Sequence, residues 1–244
     1  MRNLKLTIQY DGTGYSGWQF QKNGLSVQEV IQNAIKKITG EKVCVVGSGR
    51  TDAGVHAEAQ VANFKTSSKI PLKKFQMALN SVLPKDIVIA RMEEAGLKFN
   101  AQHDARGKLY RYIIVNNDFV NPLLRRFAAK CFYALDLGAM KKAARYLAGR
   151  HDFRSFQAKD GVGRNAVRTI RKITIEKKGD LVYIYMEADG FLYNMARNIT
   201  GTLIEVGRGK ISAGDVRVIL RKKDRKLCGP TMPARGLCLV KVKY

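Results

Sequence analysis

Long apolar runs are absent from this 244-residue sequence. None approaches the roughly 18 residues that a membrane-spanning helix needs. The N-terminal segment also breaks its own apolar character with Lys5 and Asp11, so a soluble, unexported protein with no membrane contact is expected. Cysteine is sparse: Cys44, Cys131, Cys228 and Cys238 lie far apart with no C-x-x-C pair. That spacing speaks against a zinc site and a disulfide framework and fits a reducing cytoplasm. His56, His103 and His151 show no ligand spacing, so no metal is expected and each reads as a structural hydrogen-bonding residue. Acidic residues are also scarce, 20 against 44 Lys plus Arg, which leaves a formal net charge of +24. An excess this large goes beyond what solubility requires and binds polyanions by counterion release, which makes nucleic acid the leading partner. Positions 1–100 hold 14 basic and 8 acidic residues and the remainder 30 and 12, so the second half is expected to supply most of a phosphate-facing surface. A solvated cationic coat is the plainer alternative.

With 45% hydrophobic residues and no biased composition, the chain falls among ordinary globular proteins. Leu4 to Tyr10 alternates as a strand and ends in the glycine-rich DGTGYSG. A helix follows from Ser26, whose S-x-x-E pattern with Glu29 is a capping box; Val27, Val30, Ile31, Ala34, Ile35 and Ile38 recur at helical spacing, and Gly40 closes it. Strands are expected at Val43–Val46, Gln60–Thr66 and Ile87–Met92, with a helix opened by Pro71. The second half repeats the order: strand Lys108–Asn116, helix Leu137–Ala148, strands Arg168–Lys177 and Leu181–Glu187, helix Phe191–Val206, an extra helix Ala213–Leu220, and strand Leu237–Val242. Strand, helix, strand, strand, helix, strand is the order of a ferredoxin-like unit. The expected fold class is therefore α+β, with duplicated ferredoxin-like (RRM-like) halves, 1–104 and 105–244, whose antiparallel sheets carry helices on one face. No Pro- or Ser-rich linker divides them.

Five segments concentrate chemical or charged groups. Gly12 to Gly17 matches G-x-G-x-x-G after a strand, but the following Trp18 to Gly24 has no helical period, so a dinucleotide site is not supported and a structural or substrate-contacting loop is expected. Gly47 to His56 packs glycines, Arg50, Asp52 and His56 between two strands. Its glycines permit positive φ and close approach of a ligand, and the arginine would hold the aspartate ionised. A tight structural turn explains the same residues equally well. Lys108, Tyr110 and Tyr112 share one strand face and resemble a stacking platform for nucleic acid, although a strand tyrosine is also a common core residue. Arg197 lies beside the apolar stripe Phe191, Met195, Ile199 and Leu203, where a buried guanidinium demands a carboxylate or phosphate; Asp52 is a candidate. The charge run Arg221 to Lys226 is equally compatible with an RNA contact and a solvated loop.

Six ordered motifs, YDGTGYSGWQ (10–19), GRTDAGVHA (49–57), Lys108 to Tyr112, GRHDFRSF (149–156), GFLYNMAR (190–197) and PARGLCL (233–239), together resemble the tRNA pseudouridine synthase A family over nearly the whole chain. The resemblance implies the pseudouridine synthase fold, a homodimer sharing one tRNA-binding surface, and isomerisation of uridines in the anticodon arm of tRNA (positions 38–40). It makes Asp52 the nucleophile, Tyr110 the ring against the target uracil and Arg197 the buried partner of Asp52. Arg50 would help hold the flipped-out nucleotide, with Lys108, Tyr110 and Leu237 completing the substrate-binding set. The reaction so implied uses no metal and no small-molecule cofactor. Attack at uracil C6 and attack at the anomeric carbon are both compatible with it.

Overall fold

A computed structural model describes residues 1–158 and 165–244. The chain forms two compact units, one of Met1–Arg106 with Leu239–Tyr244, the other of Gly107–Cys238.

In the first unit, β1 (Arg2–Tyr10) lies between β4 (Ile87–Ala95) and β3 (His56–Thr66), antiparallel to both. The two-residue β2 (Val46–Gly47) pairs with β3. Strand order β4-β1-β3-β2 is that of a ferredoxin-like unit. The period-2 pattern of β1 turns Leu4, Leu6, Ile8 and Tyr10 into the core. Helix α1 (Val27–Thr39) starts at Ser26, whose hydroxyl accepts the Glu29 N–H at 3.2 Å, and stops at Gly40, which takes the left-handed φ of 76°. It buries Val27, Ile31, Ala34 and Ile35. Helix α2 (Leu72–Val82) follows Pro71 and sets Phe75 edge-on against Phe64 of β3, ring centroids 6.1 Å apart. The chain end completes this unit: Tyr244 donates its hydroxyl to the Ala101 carbonyl at 2.9 Å and packs against Phe99, with the Lys5 ammonium over both rings.

In the second unit, β5 (Gly107–Val115), β9 (Leu181–Ala188), β8 (Val167–Lys178) and β7 (Gly149–Asp152) form an antiparallel run in that order. The two-residue β6 (Ala129–Lys130) pairs parallel with β5. With the short β7 set aside as an added edge strand, β5, β9 and β8 stand first beside third beside second, again the ferredoxin-like order, so the fold is α+β with mostly antiparallel pairing. Helix α3 (Leu137–Leu147) is capped by Asp136. Helix α4 (Met195–Gly207) is buried along almost its full length, whereas α5 (Asp215–Lys222) buries only Val216, Ile219 and Leu220. Gly201 of α4 allows the chain at Pro230 to lie directly on the helix: a Cβ there would stand 1.8 Å from the Pro230 carbonyl oxygen.

Two elements differ from the sequence expectation. Val43–Val45 is not strand, because α1 side chains take the ladder's place: Gln32 accepts the Val45 N–H at 3.1 Å and Gln28 donates to the Val45 carbonyl at 2.8 Å. The helix expected from Phe191 begins at Met195, since Asn194 adopts left-handed backbone at φ 58°.

Candidate active site

The loop bearing Arg50 and Asp52 runs from β2 to β3 and is braced by the segment that leaves β1. Tyr10, the last residue of β1, meets Thr51 hydroxyl to hydroxyl at 2.8 Å. The Trp18 N–H donates to the Thr51 carbonyl at 3.2 Å, and the Gly54 N–H to the Tyr15 carbonyl at 3.2 Å. The loop closes on itself through Val55 N–H to the Asp52 carbonyl, 3.1 Å. Gly12 donates its N–H to His56 Nδ1 at 3.0 Å. Asp11 Oδ1 also approaches His56 Nδ1, at 3.1 Å.

Glycine is needed where the two segments touch. A Cβ on Gly12 would stand 2.0 Å from the Val55 carbonyl oxygen, and one on Gly17, already at φ 95°, 2.4 Å from that of Thr51. Gly47 likewise lies against the indole of Trp18, which is 1% exposed. Burying that side chain is worth on the order of 4–6 kcal/mol of transfer free energy, which anchors the bracing segment to the core. Behind the loop, Gln60 accepts from the Ser48 hydroxyl at 2.7 Å and donates to the Gly49 carbonyl at 2.9 Å. The far side is tied to the turn before β4: the Tyr15 hydroxyl donates to Asp86 at 2.6 Å and the Asp11 N–H to the Asp86 carbonyl at 3.0 Å. Burial, then the Asp86 carboxylate, push the Tyr15 phenol well above its ordinary range. Between β1 and β3 the register slips by a bulge between Ile8 and Tyr10, next to this loop, a common place for a strand to be re-aimed. Arg50 is exposed and Asp52 half-buried.

The remaining candidates belong to the second unit. Lys108, Tyr110 and Tyr112 share one face of β5. Burial, with the charge of Arg168, lowers the Lys108 pKa. Tyr112 is a core residue: its hydroxyl donates to the Pro233 carbonyl at 2.6 Å and its ring rests on Gly236, where a Cβ would stand 2.5 Å from the ring. Tyr110 is 6% exposed and meets Phe191 edge-to-face at 5.0 Å. Arg197, in the first turn of α4, donates Nε–H to the Met232 carbonyl and Nη1–H to Asn194 Oδ1, both at 2.7 Å. The left-handed Asn194 thus starts the helix and orients the guanidinium. Leu237 opens β10 (Leu237–Lys243) and is buried.

Several supporting residues were not singled out by the sequence. Thr51, Gln60 and Asp86 matter through partners distant in the chain; the signal available was a polar Gln60 among the apolar Ala59, Val61 and Ala62. GRHDFRSF is largely structural: Phe153 and Phe156 are core, and the Ser155 hydroxyl donates to the Ile219 carbonyl at 2.6 Å. Within the run 221–226 the roles divide. Arg225 is half-buried and donates to the Gly229 carbonyl at 2.9 Å and to Asn198 Oδ1 at 3.0 Å, whereas Lys223 pairs with Asp152 at 3.3 Å and the others are exposed.

Two braced units of this kind, one with an Arg-Asp loop and one with a strand tyrosine and an oriented arginine, define a class that comparison makes specific. A tRNA pseudouridine synthase family model matches residues 6–104 and 143–244. Proteins named tRNA pseudouridine synthase A from Thermoanaerobacter sp. (strain X514) and Caldicellulosiruptor bescii are each 50% identical over 244 residues, covering 100% of both chains. So is tRNA pseudouridine synthase A 2 from Clostridium perfringens. The chain belongs to the tRNA pseudouridine synthase family, a family of isomerases.

Proposed function

We propose that this protein converts uridine to pseudouridine in the anticodon arm of tRNA, at positions 38–40, with Asp52 as nucleophile. The observation that carries the assignment is the bracing of the Asp52 loop. Its neighbours Thr51, Gly54 and Val55 are each fixed through the backbone, which holds a reacting group in one geometry and removes the entropy of finding it. A carboxylate nucleophile divides one difficult displacement into two easier ones. In the overall reaction the bond from uracil N1 to the sugar carbon breaks, the base turns in place, and C5 joins that carbon. The proton lost from C5 is balanced by one gained at N1, so no oxidant or reductant is consumed.

Reaching a base inside a stem requires flipping it out, at a cost of a few kcal/mol offset by stacking and hydrogen bonds in the site. We assign Tyr110 the ring against the uracil, Arg197 the cation paired with Asp52, and Arg50, Lys108 and Leu237 contacts to the extruded nucleotide. Residues 1–104 form the half that carries the nucleophile, and 105–244 the basic half that faces the tRNA backbone. The cytoplasm is the proposed location, on the sparse and widely spaced cysteines of the sequence. The functional form is a homodimer. Its support is the segment from Phe119 to Tyr133, where Phe119, Leu123, Phe132 and Tyr133 are exposed while Val120 and Leu124 pack inward on Ile113, Val115 and Ala128. Apolar side chains displayed at this density mark an association face, here for a second copy. Light scattering that showed only monomer at assay concentration would rule this out.

Mapping pseudouridine in unmodified tRNA treated with wild type and Asp52→Asn tests the chemistry. The variant should bind tRNA and form no product; equal product from both would remove Asp52 from the role of nucleophile.

A further inference from the structure

Outside the braced loop and its proposed partners, a shallow concavity of about 410 Å³ opens on the outward face of α3, lined by Gly138, Lys141, Lys142, Arg145 and Tyr146. The inward face of α3 buries Met140, Ala143, Ala144 and Leu147, so the helix is held firmly and its cations are presented from a fixed base. Lys141 and Arg145 lie four residues apart and Lys142 and Arg145 three, which makes each pair neighbours on the helix surface. Like charges at that spacing disfavour the helix, and among the described residues none of the three makes an ion pair that would offset the repulsion. The carboxylate of Asp136, at the helix cap, already accepts the Ala139 N–H at 2.9 Å.

Tyr146 supplies a polar group of another kind. The Arg217 guanidinium from α5 lies over its ring, 4.2 Å from the centroid, and donates to its hydroxyl at 3.2 Å. With its oxygen so engaged, the hydroxyl keeps its own hydrogen for an acceptor, and Arg217 adds a fourth cation beside the concavity. Gly138, without a side chain, leaves the first turn open. Three exposed cations without an ion pair among the described residues and an oriented hydroxyl make a receptor for an extended polyanion; the nearby Asp136 carboxylate, beside Gly138, is taken up by the helix cap.

We propose that this face of α3 is a second contact site for the phosphodiester backbone of the tRNA substrate, separate from the nucleotide that is modified. The proposal rests on the tRNA reading above but not on the identity of the nucleophile. Loss of product in Asp52→Asn and loss of affinity through α3 are therefore read in different assays.

The test compares wild type with K141Q/K142Q/R145Q, and with K69Q/K73Q/K74Q as a variant that removes the same charge from exposed positions of the first unit. Binding of unmodified tRNA is measured across a salt series. The α3 variant should lower the slope of log K against log salt by about 2 to 3, since each lost phosphate contact removes about 0.7–0.9. Its KM should rise about tenfold or more with kcat at saturating tRNA unchanged, and it should melt no lower than wild type. The second variant should change the slope by less than 1. Equal losses in the two variants would mean that only overall charge matters, and an unchanged slope and KM in the α3 variant would mean that the face does not touch RNA; either result overturns the proposal.

Discussion

Replacing Gly12 with alanine tests whether the segment that leaves β1 sets the position of Asp52. The added Cβ would stand 2.0 Å from the Val55 carbonyl oxygen, against ordinary contact beginning near 3.4 Å, and the obstructing atom is backbone, not the end of a flexible side chain. Relief requires movement of about 1.4 Å between Gly12 and Val55. Val55 is hydrogen-bonded to the Asp52 carbonyl, so the movement passes into the loop. A misplacement near 1 Å costs about 10²-fold in rate, equivalent to about 2.7 kcal/mol of transition-state stabilisation. Overpacking of this kind destabilises a fold by about 1–3 kcal/mol, and at this chain length each kcal/mol lowers the melting temperature by about 2–4 °C. Gly14→Ala is the matched control, because a Cβ there meets nothing within 4 Å. Single-turnover formation of pseudouridine with enzyme in excess isolates the chemical step, and thermal melting reports the fold. Gly12→Ala should be folded and about 10²-fold slower, Gly14→Ala close to wild type. A Gly12→Ala protein with wild-type single-turnover rate would refute the claim that this contact positions Asp52.

Other consequences follow from single contacts. Thr51→Val removes the hydroxyl that Tyr10 meets while keeping volume; it should lower kcat about tenfold with KM unchanged, and Thr51→Ser should restore it, whereas a purely structural role would show as lost melting temperature with intact kcat. Arg197→Lys should fail to preserve activity, because an ammonium cannot reproduce the planar set of donors that reaches the Met232 carbonyl and Asn194 together; activity above a tenth of wild type would contradict this. Burial pushes the Cys228 thiol up to about 11, so at pH 8 it is almost wholly protonated and should alkylate slowly in the native protein, with exposed Cys44 modified first; peptide mapping that found Cys228 labelled first would refute the burial argument.

What could be read from the sequence divides along physical lines. The ends of α1 were legible because the Ser26–Glu29 cap and the left-handed Gly40 are local chemistry, written within the helix they bound. Most of the strand and helix order of both halves was legible from hydrophobic period, although the short β7 (Gly149–Asp152) was not. The start of α4 was not, because Asn194 leaves the helical region to hold Arg197, a demand set by a partner and not by propensity. Nor was the loss of strand at Val43–Val45, where two glutamines of α1 supply the hydrogen bonds a neighbouring strand would have made.

The same division holds for the site. Composition and spacing were enough to raise Asp52 in its glycine-rich loop as a candidate, beside the equal alternative of a structural turn, and to show a strongly basic balance of charge. They were enough because net charge is a sum over residues and a loop's freedom is a local property. Only the tertiary structure decided what holds that loop: Tyr10 on Thr51, the Trp18 N–H on the Thr51 carbonyl, Gly12 against Val55, and Tyr15 tied across to Asp86. Only it showed that 239–244 packs with the N-terminal unit, that Tyr112 is core, and that Arg225 is fixed within a run of otherwise exposed cations. Contacts between residues far apart in the chain leave no periodic or capping signature, so they are decided by packing alone.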